Sequence, residues 1–168
     1  MRTRLAVFTC LLVFATVPAS AHAAQSVSCA SSSATVLFWP HGHPAVRGVG
    51  FPKIPTPHIE VYAPGAGYPS SNFFLYADAA RSIDPSAACG ASVVGKTGPV
   101  KHPKTARRTK AITCTAAVAL SYDVKRAKKG LTIVGHAGAD SLFKVEVRPK
   151  GSTFTYDRTA CKAAAKPK

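Results

Sequence analysis

Ile112-Thr113-Cys114-Thr115-Ala116-Ala117-Val118-Ala119-Leu120-Ser121-Tyr122-Asp123-Val124-Lys125 decides the fold class. Ile112, Cys114, Ala116, Val118, Leu120, Tyr122 and Val124 share one parity, and the smaller or polar residues between them share the other. A period of two over this length reads as a half-buried strand that points Cys114 toward the core. The alanines admit a helix as the rival, but a helix would turn Tyr122 and Val124 onto different faces from Ile112.

The same grammar extends downstream. Lys128-Lys129-Gly130 reads as a turn, Leu131-Thr132-Ile133-Val134 as a strand, and Gly135 to Asp140 as a loop. Leu142 to Arg148 alternates again, with Phe143, Val145 and Val147 inward. Pro149-Lys150-Gly151 turns the chain into Thr153-Phe154-Thr155-Tyr156, and the residues from Lys162 to Lys168 read as a flexible Ala/Lys tail.

Upstream, Ala34 to Trp39, His58 to Tyr62 and Asn72 to Ala77 read as strands, with Trp39, Phe73, Phe74 and Tyr76 expected in the core. Seven prolines between residues 40 and 69 make that segment extended and loop-rich, because proline cannot donate to a ladder. Some seven short strands separated by turns predict an all-β antiparallel sandwich, with an immunoglobulin-like layout as the finer expectation.

The N-terminal residues read as an export signal. Arg2 and Arg4 precede an apolar run from Leu5 to Val17, and Ala21 and Ala23 form the small-residue cleavage pattern. The run is too short to span a bilayer, and no later stretch is apolar enough to do so. Cleavage after Ala23 removes Cys10 and leaves 145 residues (168 minus 23), read as one β domain over 24–161 followed by the tail over 162–168. The mature chain is expected to be secreted or held in the cell envelope.

Four cysteines then remain, Cys29, Cys89, Cys114 and Cys161. An even count in an exported chain, with no close pair of the kind zinc sites use, predicts two disulfides. Of three pairings, Cys29–Cys89 with Cys114–Cys161 is favoured, one staple for each half.

The charge is lopsided. The mature chain carries 20 bases against 7 acids, and residues 24 to 95 balance at three of each. The whole excess lies beyond that point, first in Lys96, Lys101, Lys104, Arg107, Arg108 and Lys110, then in Lys125, Arg126, Lys128 and Lys129. The first cluster reads as an exposed, mobile loop. Such a field attracts polyanions or anionic membrane surfaces, so these ten residues are the expected polyanion-binding set. Solubility alone is the competing explanation.

Three motifs bear on chemistry. Gly90 to Thr97 matches the phosphate-loop pattern G-x-x-x-x-G-K-T, but Gly98-Pro99 follows where the obligatory helix should run, so the match is set aside. His41-Gly42-His43 would present two imidazoles to one side of an extended segment, which makes His41 and His43 candidate metal ligands. His58 and Glu60 would share the outward face of a strand, as candidate acid and base of a small secreted phosphodiester hydrolase. No cofactor is expected. A non-enzymatic cationic domain that contacts an anionic envelope polymer is the leading expectation. The hydrolase and a ligand-free structural envelope protein are the alternatives.

Overall fold

The computed structural model describes residues 25–43, 53–62, 73–76, 89–127 and 130–164. The expected signal peptide, most of the proline-rich segment, Lys128, Lys129 and residues 165–168 lie outside these. Among the described residues the chain is all β. In order, β1 (Gln25–Cys29), β2 (Ser33–Trp39), β3 (His58–Tyr62), β4 (Phe73–Tyr76), β5 (Cys89–Ser92) and β6 (Pro103–Ala106) are followed by β7 (Lys110–Thr115), β8 (Ser121–Ala127), β9 (Gly130–Ala137), β10 (Asp140–Val147), β11 (Thr153–Asp157) and β12 (Cys161–Ala163).

The strands form two antiparallel sheets. One runs β5-β1-β8-β9-β10-β11-β6 and the other β12-β7-β2-β3-β4. The alternation of the sequence explains their burial. Ala34, Val36 and Phe38 of β2, with Ile59 and Val61 of β3 and Ile112 and Cys114 of β7, are buried in the five-stranded sheet. Tyr122, Val124, Ile133, Phe143, Val145 and Phe154 do the same in the seven-stranded sheet, and one cluster of buried side chains joins the two. The Phe38 and Phe154 rings meet edge to face across it, with centroids 5.7 Å apart. Outward-facing hydroxyls stitch neighbouring strands together, as in the 2.8 Å contact between Thr35 and Thr113.

Both expected disulfides are present. Cys29–Cys89 joins neighbours β1 and β5, and Cys114–Cys161 joins neighbours β7 and β12.

Several expectations are corrected. The period-two stretch is two strands rather than one: β7 ends at Thr115, and β8, in the other sheet, begins at Ser121. The connection keeps Leu120, Tyr122 and Val124 in phase with Ile112 and Cys114, so only Val118, at 54% exposure, leaves the core. Residues 96–110 are not simply a mobile loop. Pro103 opens β6 on a sheet edge, where a missing N–H costs nothing, and β6 pairs with β11. Nearby, Gly98 N–H donates to Ala139 O at 3.3 Å, and the Ser141 hydroxyl donates to Gly98 O at 2.6 Å.

Gly135 lies inside β9 rather than in a loop. Lys162 and Ala163, expected in the tail, belong to β12, and Ala164 N–H donates to Ala111 O at 3.0 Å. Trp39, expected in the core, is only half-buried, because Phe38 next to it takes the inward parity.

Candidate functional site

The outer face of the five-stranded sheet carries a connected group of polar side chains. His58 and Glu60 occupy it two residues apart on β3, with Ile59 and Val61 turned inward. An exposed pair was expected, yet His58 has no exposure and Glu60 only 6%. The Trp39 ring lies nearly parallel to that of His58, at an interplanar angle of 18°. The turn after β2 brings the His43 ring against it as well.

That turn separates the two candidate metal histidines. Gly42 N–H donates to Trp39 O at 3.3 Å with Gly42 at φ +75°, so the chain is not extended there. The close approach also demands glycine, since a Cβ would stand 2.1 Å from Ile54 O. His43 then exchanges backbone hydrogen bonds with Ile54 at 2.9 and 3.1 Å. The result leaves His41 exposed and sets the His43 ring against those of Trp39 and His58, at centroid distances of 5.3 and 5.5 Å. Two adjacent motifs of the sequence thus contribute one constellation, His43, His58 and Glu60, whose ligand atoms all lie within 4.8 Å of one another.

Hydrogen bonds order this group. His58 Nδ1 lies 2.9 Å from Thr56 O, and a carbonyl only accepts, so Nδ1 carries a hydrogen. His58 Nε2 faces Glu60 Oε1 at 3.1 Å, and the Tyr62 hydroxyl donates to Glu60 Oε2 at 2.5 Å. Burial alone would push the Glu60 carboxyl up, but the bonds from His58 and Tyr62 and the nearby His43 hold it below its ordinary value.

Two further histidine–acid pairs lie on or beside the other sheet. His136 Nδ1 donates to Gly138 O at 2.9 Å, while Nε2 lies 3.3 Å from Asp123 Oδ2. Ser121 is the cross-strand partner of His136, which assembles serine, histidine and aspartate on one face. Both imidazole nitrogens are turned elsewhere and the Ser121 hydroxyl donates to Ser28, so the nucleophile–base contact of a hydrolytic triad is not made. His102 Nδ1 lies 3.9 Å from Asp157 Oδ1.

The basic residues divide. Lys104, Arg107, Arg108 and Lys110 line one hollow of about 520 Å³ where the chain passes from β6 to β7, and hence from one sheet to the other. Thr105, Ala106 and Tyr156 complete it. Lys101 lies outside it and pairs with Asp140 at 2.7 Å. Lys96 is exposed beyond β5. Lys125 and Arg126 stand on β8, four strands from β6, or about 19 Å at an ordinary spacing of about 4.8 Å. Of the second cluster, Lys125 and Arg126 thus stand apart from the hollow, and Lys128 and Lys129 lie outside the described residues.

The fold and these sites define a disulfide-stapled, all-β, two-sheet chain with a buried histidine–glutamate group and a basic hollow. No family model matches it, and neither the curated proteins nor the solved structures supply a match.

Proposed function

We propose that this chain is an exported, non-enzymatic cationic domain that holds an anionic envelope polymer in the hollow between β6 and β7. The reading rests on one observation: Lys104, Arg107, Arg108 and Lys110 converge on a single concavity. Among the described residues no acid forms an ion pair with any of the four, whereas Lys101, Lys144 and Arg148 each have one. Four cations around one hollow create a focused positive potential, and two arginines add forked donors suited to phosphate or sulfate oxygens. Export and an envelope location are supported by the two disulfides, which persist in oxidising compartments, and by the signal-like N-terminus. The two sheets are read as layers of a sandwich with an immunoglobulin-like layout, a reading supported by the Phe38–Phe154 contact between them.

Retention on immobilised polyphosphate across a salt series tests this proposal. Replacing Lys104, Arg107, Arg108 and Lys110 together by Gln should reduce the salt exponent by about 3, at roughly 0.7–0.9 per phosphate contact. Lys125→Gln should change it by about 1 at most. A folded quadruple variant eluting with wild-type protein would end the proposal and leave a structural envelope role.

A further inference from the structure

We propose that His43, His58 and Glu60 form a binding site for one divalent first-row transition ion, with zinc as its natural probe. The site lies on the opposite side of β2 from the core and shares no residue with the basic hollow.

The argument begins with protons. Because His58 Nδ1 spends its hydrogen on Thr56 O, the Nε2 of a neutral ring offers a lone pair. That lone pair points at Glu60 Oε1, an acceptor, at 3.1 Å. Two acceptors so close inside the protein need a positive centre between them. A metal ion can be that centre. Ligands about 2.0–2.1 Å from a tetrahedral zinc stand about 3.3 Å apart, close to the separation found here. The His43 ring enters from the remaining side, within the 4.8 Å reach of both other ligands.

The surroundings are those of a metal site. A ligating histidine ordinarily donates its other ring N–H to a carbonyl or carboxylate, which fixes tautomer and orientation, and Thr56 O does this for His58. A ligating carboxylate is itself hydrogen-bonded, and Tyr62 does this for Glu60 through the oxygen that does not face His58. Two imidazoles and one carboxylate suit zinc and its neighbours rather than calcium or magnesium, which take oxygen ligands. Three protein ligands leave one position for water or a small ligand. Half-buried His43 is the most exposed of the three ligands.

The chain contains its own reporter. Trp39 is the only tryptophan, and its ring centroid lies 5.3 and 6.2 Å from those of His43 and His58. The experiment uses the full oxidised chain stripped with chelator and titrated with zinc by calorimetry and with cobalt by absorption and tryptophan emission. One equivalent of zinc should bind, and cobalt should quench Trp39 while its visible bands intensify as ligands replace its octahedral water shell. His43→Ala, which removes a half-buried ring, and the isosteric Glu60→Gln should each abolish the stoichiometric phase. Tyr62→Phe should weaken zinc by about ten- to a hundredfold. His41→Ala, outside the group, should leave binding unchanged. Absence of stoichiometric uptake by the wild type would overturn the proposal, as would wild-type affinity in folded His43→Ala and Glu60→Gln variants. Polyphosphate retention reads the basic hollow separately, so either reading can fail alone.

Discussion

Gly135 and Phe143 face each other across β9 and β10, and the phenyl ring occupies the space a side chain on Gly135 would need: a Cβ there would stand 2.2 Å from Phe143 Cε1. Phe143 is fully buried, and its ring meets those of Tyr122 and Phe154 at 6.1 and 5.8 Å. It therefore has nowhere to retreat. Gly135→Ala should overpack this layer and cost about 1–3 kcal/mol in urea denaturation. Adding Phe143→Leu should recover part of the loss of the alanine variant. Wild-type stability for Gly135→Ala would show that the ring does not close over the glycine.

The segment after β5 is tied to the sheet through Asp123. Gly95 N–H lies 3.2 Å from Asp123 Oδ2, and the same oxygen lies 3.3 Å from His136 Nε2, although the latter is not aligned as a hydrogen bond. The glycine–lysine–threonine motif thus presents its backbone to a carboxylate of its own chain, and among the described residues no helix follows it. Asp123→Ala should cost about 1 kcal/mol, the usual net value of such a bond, and should speed tryptic cleavage after Lys96. Unchanged cleavage kinetics would mean that the segment is held by Ser141 and Ala139 alone.

The sequence showed the period of the strands better than their partners. Parity placed Ile112, Cys114, Tyr122, Phe143, Val145 and Val147 inward, as found, because alternation records only which face is buried. It could not show that residues 116–120 cross between sheets, since the connection preserves the phase. β6 and β12 were hidden for another reason. Edge strands need bury little, so Pro103-Lys104-Thr105-Ala106 read as polar loop, and Lys162-Ala163 after Cys161 read as tail. In the candidate metal group every ligand was visible, as His43 in one motif and His58 with Glu60 in another. Their union depends on the Gly42 turn and its docking on Ile54, a long-range contact that no local spacing encodes.

The two disulfides differ in shelter, and their reduction should differ accordingly. Cys114 and Cys161 are 0% and 2% exposed, whereas Cys89 is only half-buried, on edge strand β5. A thiolate must reach a sulfur to attack it. Mild dithiothreitol followed by alkylation and peptide mapping should label Cys29 and Cys89 well before Cys114 and Cys161. Replacing both Cys114 and Cys161 by Ala should cost about 2–4 kcal/mol through the loss of a long-loop constraint. Equal labelling rates for the two bridges would show that reduction follows global unfolding rather than local access.

Asp157 gives the fold a defined acid sensitivity. Burial raises its carboxyl, but hydrogen bonds from the Thr159 hydroxyl and N–H at 2.6 and 2.8 Å, with the His102 ring beyond, outweigh burial and leave it below the ordinary value of 3.8. A carboxyl that is a stronger acid folded than unfolded stabilises the fold above its unfolded value and loses that contribution as pH falls through its folded value. Asp157→Asn keeps an oxygen to accept from Thr159 but carries no charge. At neutral pH the variant should be less stable than wild type, and the gap between their urea midpoints should narrow from about pH 4 downward. A gap that stays constant from neutral pH to below pH 3 would assign the role of Asp157 to hydrogen-bond geometry and not to its charge.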